Sequence, residues 1–289
     1  MRVIDMLTAA TAHLKERGFE NARLEVERLL GEVLGLSRID LYLSFERPVT
    51  DKERSRFRAL YRRRLKHEPL QYILGFTGFH YITVKSDRRA FVPRPETELL
   101  TQAAIDELLH RNDPVFIDLG TGSGVIALSI LNAIPEARGV AVDIDENALA
   151  LARENARLLE VADRIVFVRG DMTVPLTRYG LFDVVVSNPP YITRSEIDRL
   201  EPEVRDHDPR VALDGGADGL AYFNPIVGYA HLILKPGGVL LMECGAGQAD
   251  KILQRIHGSD RYSEEATIRD LSGRDRIVRA RTRQKQRTT

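Results

Sequence analysis

The sequence predicts an α/β chain, a doubly wound and mostly parallel sheet preceded by a small helical domain. Three observations predict it. From about residue 97, short β-branched runs alternate with helix-period patterns, as βαβ units do. Before residue 75, apolar residues recur only at helical spacing. The run Phe182–Ser187 is apolar almost throughout and halts at Asn188-Pro189-Pro190, as expected for a buried parallel strand stopped by residues that cannot continue its ladder.

Residues 1–75 carry the helical pattern. Ile4, Leu7, Ala10 and Leu14 share one helix face, and Leu24, Leu29, Leu30, Val33 and Leu34 another, with Gly18 and Gly35 as C-terminal stops. Thr50 and Glu53 have capping-box spacing and start a basic helix whose apolar stripe is Phe57, Leu60, Tyr61 and Leu65. Its run Arg54, Arg56, Arg58, Arg62, Arg63, Arg64 and Lys66 is expected to be a solvated face. Residues 76–96 look extended, since Tyr81–Lys85 is strand-like and Pro93 and Pro95 block helix, so a β-hairpin linker is expected. Residues 97–281 then supply strands at 115–119, 139–143, 165–168, 182–187, 238–244, 264–270 and 275–281. The last connection is too short for a right-handed crossover, so that pair should be antiparallel. Residues 282–289 are basic and lack large apolar side chains, and a disordered tail is expected.

Composition bounds the function. The chain has 289 residues, 43% of them hydrophobic, enough for a full α/β domain with a small second one. The formal net charge of +0 argues against a nucleic acid as the general partner. The single cysteine, Cys244, excludes an internal disulfide and lies in the apolar run Val239–Cys244, where an inert buried thiol is expected. The seven histidines lack ligand spacing, so no metal site is expected. No apolar run has the length of a membrane span, and Met1–Met6 lacks a signal-peptide pattern, so a soluble cytoplasmic chain is expected.

The chemistry gathers at the carboxyl ends of the expected strands, where open α/β sheets bind ligands. Val115–Leu119 runs into Gly120-Thr121-Gly122-Ser123-Gly124 and then into a helix, a turn that brings backbone N–H groups close to a ligand. Asp143 ends the second strand and can accept from ribose hydroxyls. Asp171 ends the third and can accept from an adenine amine, with Met172 packing on the ring or filling a core gap. Asn188-Pro189-Pro190-Tyr191 ends the fourth. The Asn188 amide and the Pro189 carbonyl offer fixed acceptors beside an aromatic ring, a grip for a planar NH2-bearing group such as an amide or a nucleobase amine.

Taken together, Asp118–Gly124, Asp143, Gly170-Asp171 and Asn188–Tyr191 resemble the class I S-adenosylmethionine methyltransferases, most of all the branch that methylates planar nitrogens. Pro93–Glu98, Glu68–Gly75, Asp214–Leu220 and Asp270–Arg276 narrow the resemblance to the HemK/PrmC family, the release factor glutamine N5-methyltransferases, over roughly Ala22 to Val278. The resemblance implies a seven-stranded class I sheet, S-adenosylmethionine as methyl donor with S-adenosylhomocysteine as product, and peptide chain release factors as protein substrate, methylated on the glutamine of a Gly-Gly-Gln loop. It implies catalytic roles for Asn188, Pro189 and Tyr191, with Pro190 completing the substrate grip. For the donor it implies a cradle of Gly120, Thr121, Gly122, Ser123 and Gly124. Asp118 would face the methionine amino end, Asp143 the ribose, Asp171 and Met172 the adenine, and Asn188 would border both ligands. The Arg94–Glu98 region would help close the pocket, and 193–220 would form a lid or substrate loop. Within it, Asp208-Pro209 stands where the family would have Glu-Pro. A monomer is expected.

The residues themselves leave other readings open. Another protein glutamine, on a ribosomal protein for example, would suit the same grip, as would the exocyclic amine of a nucleobase. Gly122–Ala127 also fits a dinucleotide fingerprint ending in Ala, which would suit an NAD-dependent oxidoreductase. No ionisable base is visible in the Asn188–Tyr191 motif, so proton loss is expected to follow methyl transfer.

Overall fold

A computed structural model of the chain describes residues 1–283. It divides into two compact units, Met1–Gly75 with Pro202–His207, and Phe76–Glu201 with the chain from Asp208 onward.

The first unit contains α1 (Val3–Glu16), α2 (Ala22–Leu34), α3 (Arg38–Leu43), α4 (Asp51–Arg64) and α5 (Leu70–Leu74). The helical stripes read from the sequence form its core, in which Leu7, Leu14, Leu29 and Leu30 are fully buried, but Leu24 is exposed and Val26 takes the inward position on α2 instead. Gly35 caps α2 in the left-handed conformation. Thr50 and Glu53 close the capping box of α4, the Thr50 N–H donating to Glu53 at 2.9 Å and the Glu53 N–H to the Thr50 hydroxyl at 3.3 Å. The basic face of α4 is not wholly solvated. Arg64 is buried, donates to both oxygens of Glu25 at 2.6 and 3.0 Å, pairs with Glu203 at 2.7 Å and lies over the Phe19 ring. Arg63 pairs with Glu68. A buried guanidinium needs such partners, and these acids come from other parts of the unit, so charge alone could not assign it to the surface.

The second unit begins with a hairpin, β1 (Phe76–Phe79) and β2 (Ile82–Lys85), followed by α6 (Glu96–Leu108). Phe79, Ile82 and Val84 share a core with Leu100 and Leu108 of α6, so the hairpin is packed into this unit by its alternate residues. The chain then alternates through β3 (Val115–Leu119), α7 (Val125–Ala133), β4 (Arg138–Asp143), α8 (Glu146–Leu158), β5 (Ile165–Arg169) and β6 (Phe182–Ser187). After β6 come two short helices, α9 (Arg194–Ile197) and α10 (Pro202–His207), then α11 (Phe223–Ile233), β7 (Leu234–Glu243), α12 (Ala249–His257), β8 (Tyr262–Arg269) and β9 (Asp275–Thr282). The expected lid thus has helical structure in it, and its Pro202–His207 stretch packs with the first unit. Thr282 ends β9 and is buried, its hydroxyl donating to Lys235 O at 2.9 Å, so the strand runs one residue into the expected tail. Residues 284–289 lie outside the described residues.

The seven strands lie in the order β5-β4-β3-β6-β7-β9-β8, parallel except for β9, which is antiparallel to both its neighbours. Every residue of β6 is buried, as a central strand covered on both faces requires. β3 leads outward to β4 on one side and β6 to β7 on the other, so the order reverses between β3 and β6. Their ends are level, Leu119 beside Ser187, and the Ser187 hydroxyl donates to Leu119 O at 2.7 Å. Both the glycine turn and Asn188 therefore leave the sheet at its switch point.

Candidate active site

A cavity of about 400 Å³ opens at that switch point. Its wall includes Gly120, Thr121, Gly122 and Ser123 after β3, Asp143 after β4, Asp171 and Met172 after β5, and Asn188, Pro189, Pro190 and Tyr191 after β6. Pro93, Arg94 and Thr97 line it from the start of α6, and Pro209, Leu213 and Tyr222 from the segment before α11. Asp118 and Gly124, expected in the donor site, do not line it.

The glycine turn works as a scaffold. Gly120 has φ +76°, and a Cβ there would stand 2.7 Å from the Met172 methyl. The N–H groups of Gly120 and Thr121 both donate to Val142 O, at 2.8 and 2.9 Å. Asp143 accepts the Gly122 N–H on one oxygen at 2.8 Å and the Asp145 N–H on the other at 2.9 Å. Its carboxylate is thus oriented in the cavity wall with lone pairs to spare. Asp171 accepts the Thr173 N–H and hydroxyl at 2.8 and 2.7 Å. Met172 faces both ways, lining the cavity while packing with Ile117 and Leu176 in the core.

Asp118 lies beneath the turn. It is fully buried and accepts the Thr121 hydroxyl at 2.6 Å, while its other oxygen has no hydrogen-bond partner. Burial pushes its carboxyl up to about 7, against the Thr121 hydroxyl and the Ala127 N–H, which favour the anion. The native protein therefore holds a proton that the unfolded chain releases above about pH 4. This contribution to stability is complete below about pH 4 and is lost as pH rises through about 7. Relative to Asp118→Asn, the wild type should lose melting temperature between pH 5 and 8. Parallel pH profiles for the two proteins would contradict the buried-proton account.

At the other end of the cavity the Asn188 amide is tethered, its Nδ2 donating to the Thr97 hydroxyl at 3.0 Å. The Tyr191 hydroxyl donates to Glu243 at 3.4 Å, and burial raises its pKa, so the phenol stays neutral. Gln248 holds the Tyr191 backbone, its Nε2 donating to Tyr191 O at 2.9 Å while its Oε1 accepts the Gly245 N–H at 2.9 Å. Behind the loop, Ile192 exchanges backbone bonds with Leu213 O and the Gly215 N–H at 3.1 and 2.8 Å. A Cβ on Gly215 would fall 2.7 Å from Tyr191 Cα and 2.9 Å from Pro190 O. Arg94 lies over the Phe91 ring and donates to the buried Asp208 at 3.3 Å, so Asp208 serves here as the acid that orients Arg94. Cys244 is buried, and burial pushes its thiol up to about 12, leaving no thiolate for nucleophilic chemistry.

The site thus pairs acidic acceptors beside a glycine turn with a rigid Asn-Pro-Pro-Tyr loop. Residues 5–75 match the PrmC N-terminal domain and residues 95–201 the methyltransferase small domain. A release factor glutamine methyltransferase of Geobacter sulfurreducens is 40% identical over 269 residues, covering 92% of both chains. That of Caulobacter vibrioides is 36% identical over 280 residues, covering 96% of both. The chain belongs to the release factor glutamine methyltransferase family. Solved structures share its fold, and two illustrate it. A methyltransferase from Pyrococcus furiosus superposes with a TM-score of 0.50 at 18% identity, covering 69% of this chain and 88% of its own. The catalytic domain of hMettl16, solved with an RNA hairpin, gives 0.57 at 14% identity, covering 71% and 77%. At such identities both bear on the class I sheet alone. Two residues beside the loop escaped the sequence reading. Thr97 stands within the Pro93–Glu98 motif and Glu243 within the Val239–Cys244 strand, and neither position hints at its contact with the loop, Thr97 with Asn188 and Glu243 with Tyr191.

Proposed function

We propose that the chain transfers a methyl group from S-adenosylmethionine to the side-chain amide nitrogen of the glutamine in the Gly-Gly-Gln loop of peptide chain release factors, in the cytoplasm. Family membership supports the substrate. The observation that carries the chemistry is the Asn188 amide, held in the cavity wall by its NH2 group so that its oxygen is the atom left for a ligand.

An amide nitrogen is a weak nucleophile, because its lone pair is delocalised into the carbonyl. The donor, when bound, supplies an electrophilic methyl on a sulfonium. The protein's part is alignment. Asn188 Oδ1 and the Pro189 carbonyl accept the two N–H bonds of the substrate amide, which orients the nitrogen and raises its electron density. Alignment of this kind is worth up to about 7–11 kcal/mol in favourable cases. Tyr191 packs on the amide plane and keeps water out. With the donor bound, the nitrogen–methyl bond would form as the sulfur–methyl bond breaks, leaving a neutral thioether, and the methylated nitrogen would release its extra proton to bulk water as the product leaves. Nothing in this scheme requires a covalent enzyme intermediate, in keeping with the inert Cys244.

The cavity fits the donor. Asp143 keeps free lone pairs toward the wall and suits ribose hydroxyls, Asp171 and Met172 suit an adenine, and the turn 120–124 suits the methionine end. Asp118, beneath the turn, acts on that end by holding Thr121 in place. Asp143→Ala should weaken S-adenosylhomocysteine binding about 10–100-fold, the worth of one or two hydrogen bonds to a charged acceptor. Calorimetric titration checks this, and an unchanged Kd would remove Asp143 from the donor site. The reading as a whole is tested by incorporating labelled methyl from the donor into a bacterial release factor and into the same factor with its loop glutamine changed to alanine. Label in the first alone is expected. Equal label in both, or label only in co-purified nucleic acid, would overturn it.

A further inference from the structure

The loop Asn188–Tyr191 is pinned at both ends. Before it, the Ser187 hydroxyl donates to Leu119 O at 2.7 Å. At its end, Gln248 donates from Nε2 to Tyr191 O at 2.9 Å. Between the pins, Pro189 and Pro190 have their φ angles fixed by their rings, so few torsions are left to move the Asn188 side chain or the Pro189 carbonyl.

Gln248 holds more than one carbonyl. Its Nε2 also donates to Gly219 O at 3.4 Å, and its Oε1 accepts the Gly245 N–H at 2.9 Å. One carboxamide thus joins three segments of the chain: the Asn188–Tyr191 loop, the 213–220 segment before α11, and the turn between β7 and α12. Its orientation is unambiguous. The Gly245 N–H can only donate and the two carbonyls can only accept, so a 180° flip would lose all three bonds at once. The fit is close. A Cβ on Gly219, which has φ +74°, would fall 2.3 Å from Gln248 Nε2 and 2.5 Å from Tyr191 O. A Cβ on Gly245 would fall 3.1 Å from Tyr191 Cδ2, so the turn that carries Gln248 backs the Tyr191 ring as well as its carbonyl. Gln248 is half-buried and does not line the cavity, whereas Tyr191, Leu213 and Ala221 do. It reaches the reaction only through what it holds.

We propose that Gln248 is a positioning residue for methyl transfer, its carboxamide tying Tyr191 and Gly219 to the β7–α12 turn so that the loop keeps Asn188 and Pro189 aimed at the substrate amide. The inference rests on the reading of Asn188 and Pro189 as the substrate acceptors. Loss of the carboxamide should alter kcat more than donor affinity, because the glycine turn and Asp143 are held by bonds of their own.

The test is methylation of a release factor by Gln248→Met and Gln248→Glu from pH 6 to 8. Rates are counted per S-adenosylhomocysteine-binding site, so that any unfolded fraction drops out. Methionine is close to glutamine in length and lacks the amide. Its kcat should fall about 10–10²-fold, within the loss that follows a displacement approaching 1 Å, with donor affinity within twofold of the wild type. Glutamate separates positioning from the filling of space. As an anion it accepts the Gly245 N–H but has no hydrogen for Tyr191 O or Gly219 O; as an acid it has one. The two carbonyls favour the acid form, so the ratio of its kcat to that of the wild type should rise as pH falls from 8 to 6. The same ratio for Gln248→Met should stay flat. Wild-type kcat in Gln248→Met would overturn the proposal, as would a pH-independent ratio for Gln248→Glu. Asn188→Ala in the same assay tells two failures apart. If it is active, the reading of Asn188 fails; if it is inactive while Gln248→Met is fully active, only the role of Gln248 fails.

Discussion

Asn188→Ala should lower kcat by about 10²–10³-fold, the loss that accompanies removal of one preorganised polar group aimed at a reacting centre. Donor affinity should hardly change, because the glycine turn and Asp143, which form the other end of the cavity, do not depend on the Asn188 side chain. The substitution also removes the Asn188 partner of the Thr97 hydroxyl, a modest cost in stability of about 1–3 kcal/mol. The enzyme should fold, bind S-adenosylhomocysteine and fail at the transfer step. Single-turnover rates on a saturating release factor separate this from a binding defect. A variant with near-normal turnover would show that Asn188 is not the acceptor.

Gly215→Ala should impair the same step from behind the loop. The new methyl would meet Tyr191 Cα and C at 2.7 Å and Pro190 O at 2.9 Å, all backbone atoms that cannot rotate away. Either the loop or the 213–216 segment must shift. Overpacking of this sort costs about 1–3 kcal/mol of stability, and a shift approaching 1 Å in a positioned group costs on the order of 10²-fold in rate. Gly228→Ala is the matched control, since its Cβ meets nothing within 4 Å and it lies on an exposed turn of α11. Loss of kcat with Gly215→Ala but not with Gly228→Ala is the expected pattern. Equal, full activity in both would mean that the loop does not need its backing.

The sheet was legible because its central strands are covered on both faces. Phe182–Ser187 and Val140–Val142 read as continuous apolar runs, and the prolines at 189 and 190 marked where the first of them stops. The capping box at Thr50–Glu53 and the left-handed Gly35 are local devices, so the sequence shows them directly. The short helices α3, α5, α9 and α10 were not legible, since four to six residues span too little of a helical period to show one. Arg64 looked like a surface cation because its acids, Glu25 and Glu203, reach it only through tertiary packing.

The site divides along the same line. The residues at strand ends could be listed in advance, because one strand, one turn and one acid repeat across the sheet. Asp118 was assigned to the donor, yet it shares a sheet face with Phe116 and points beneath the turn. Thr97 and Glu243 carry no motif of their own. One sits on a helix and the other on a strand, and only tertiary packing brings the Thr97 hydroxyl to the Asn188 amide and the Glu243 carboxyl to the Tyr191 hydroxyl.

The most direct measurement of the central claim is peptide-mapping mass spectrometry of a bacterial release factor incubated with this protein and S-adenosylmethionine, beside the same reaction with Asn188→Ala. The account predicts a single added methyl on the glutamine of the Gly-Gly-Gln loop, present with the wild type and absent with the variant. An unmodified loop glutamine in the presence of a donor-binding enzyme, or a methyl on another residue, would contradict it.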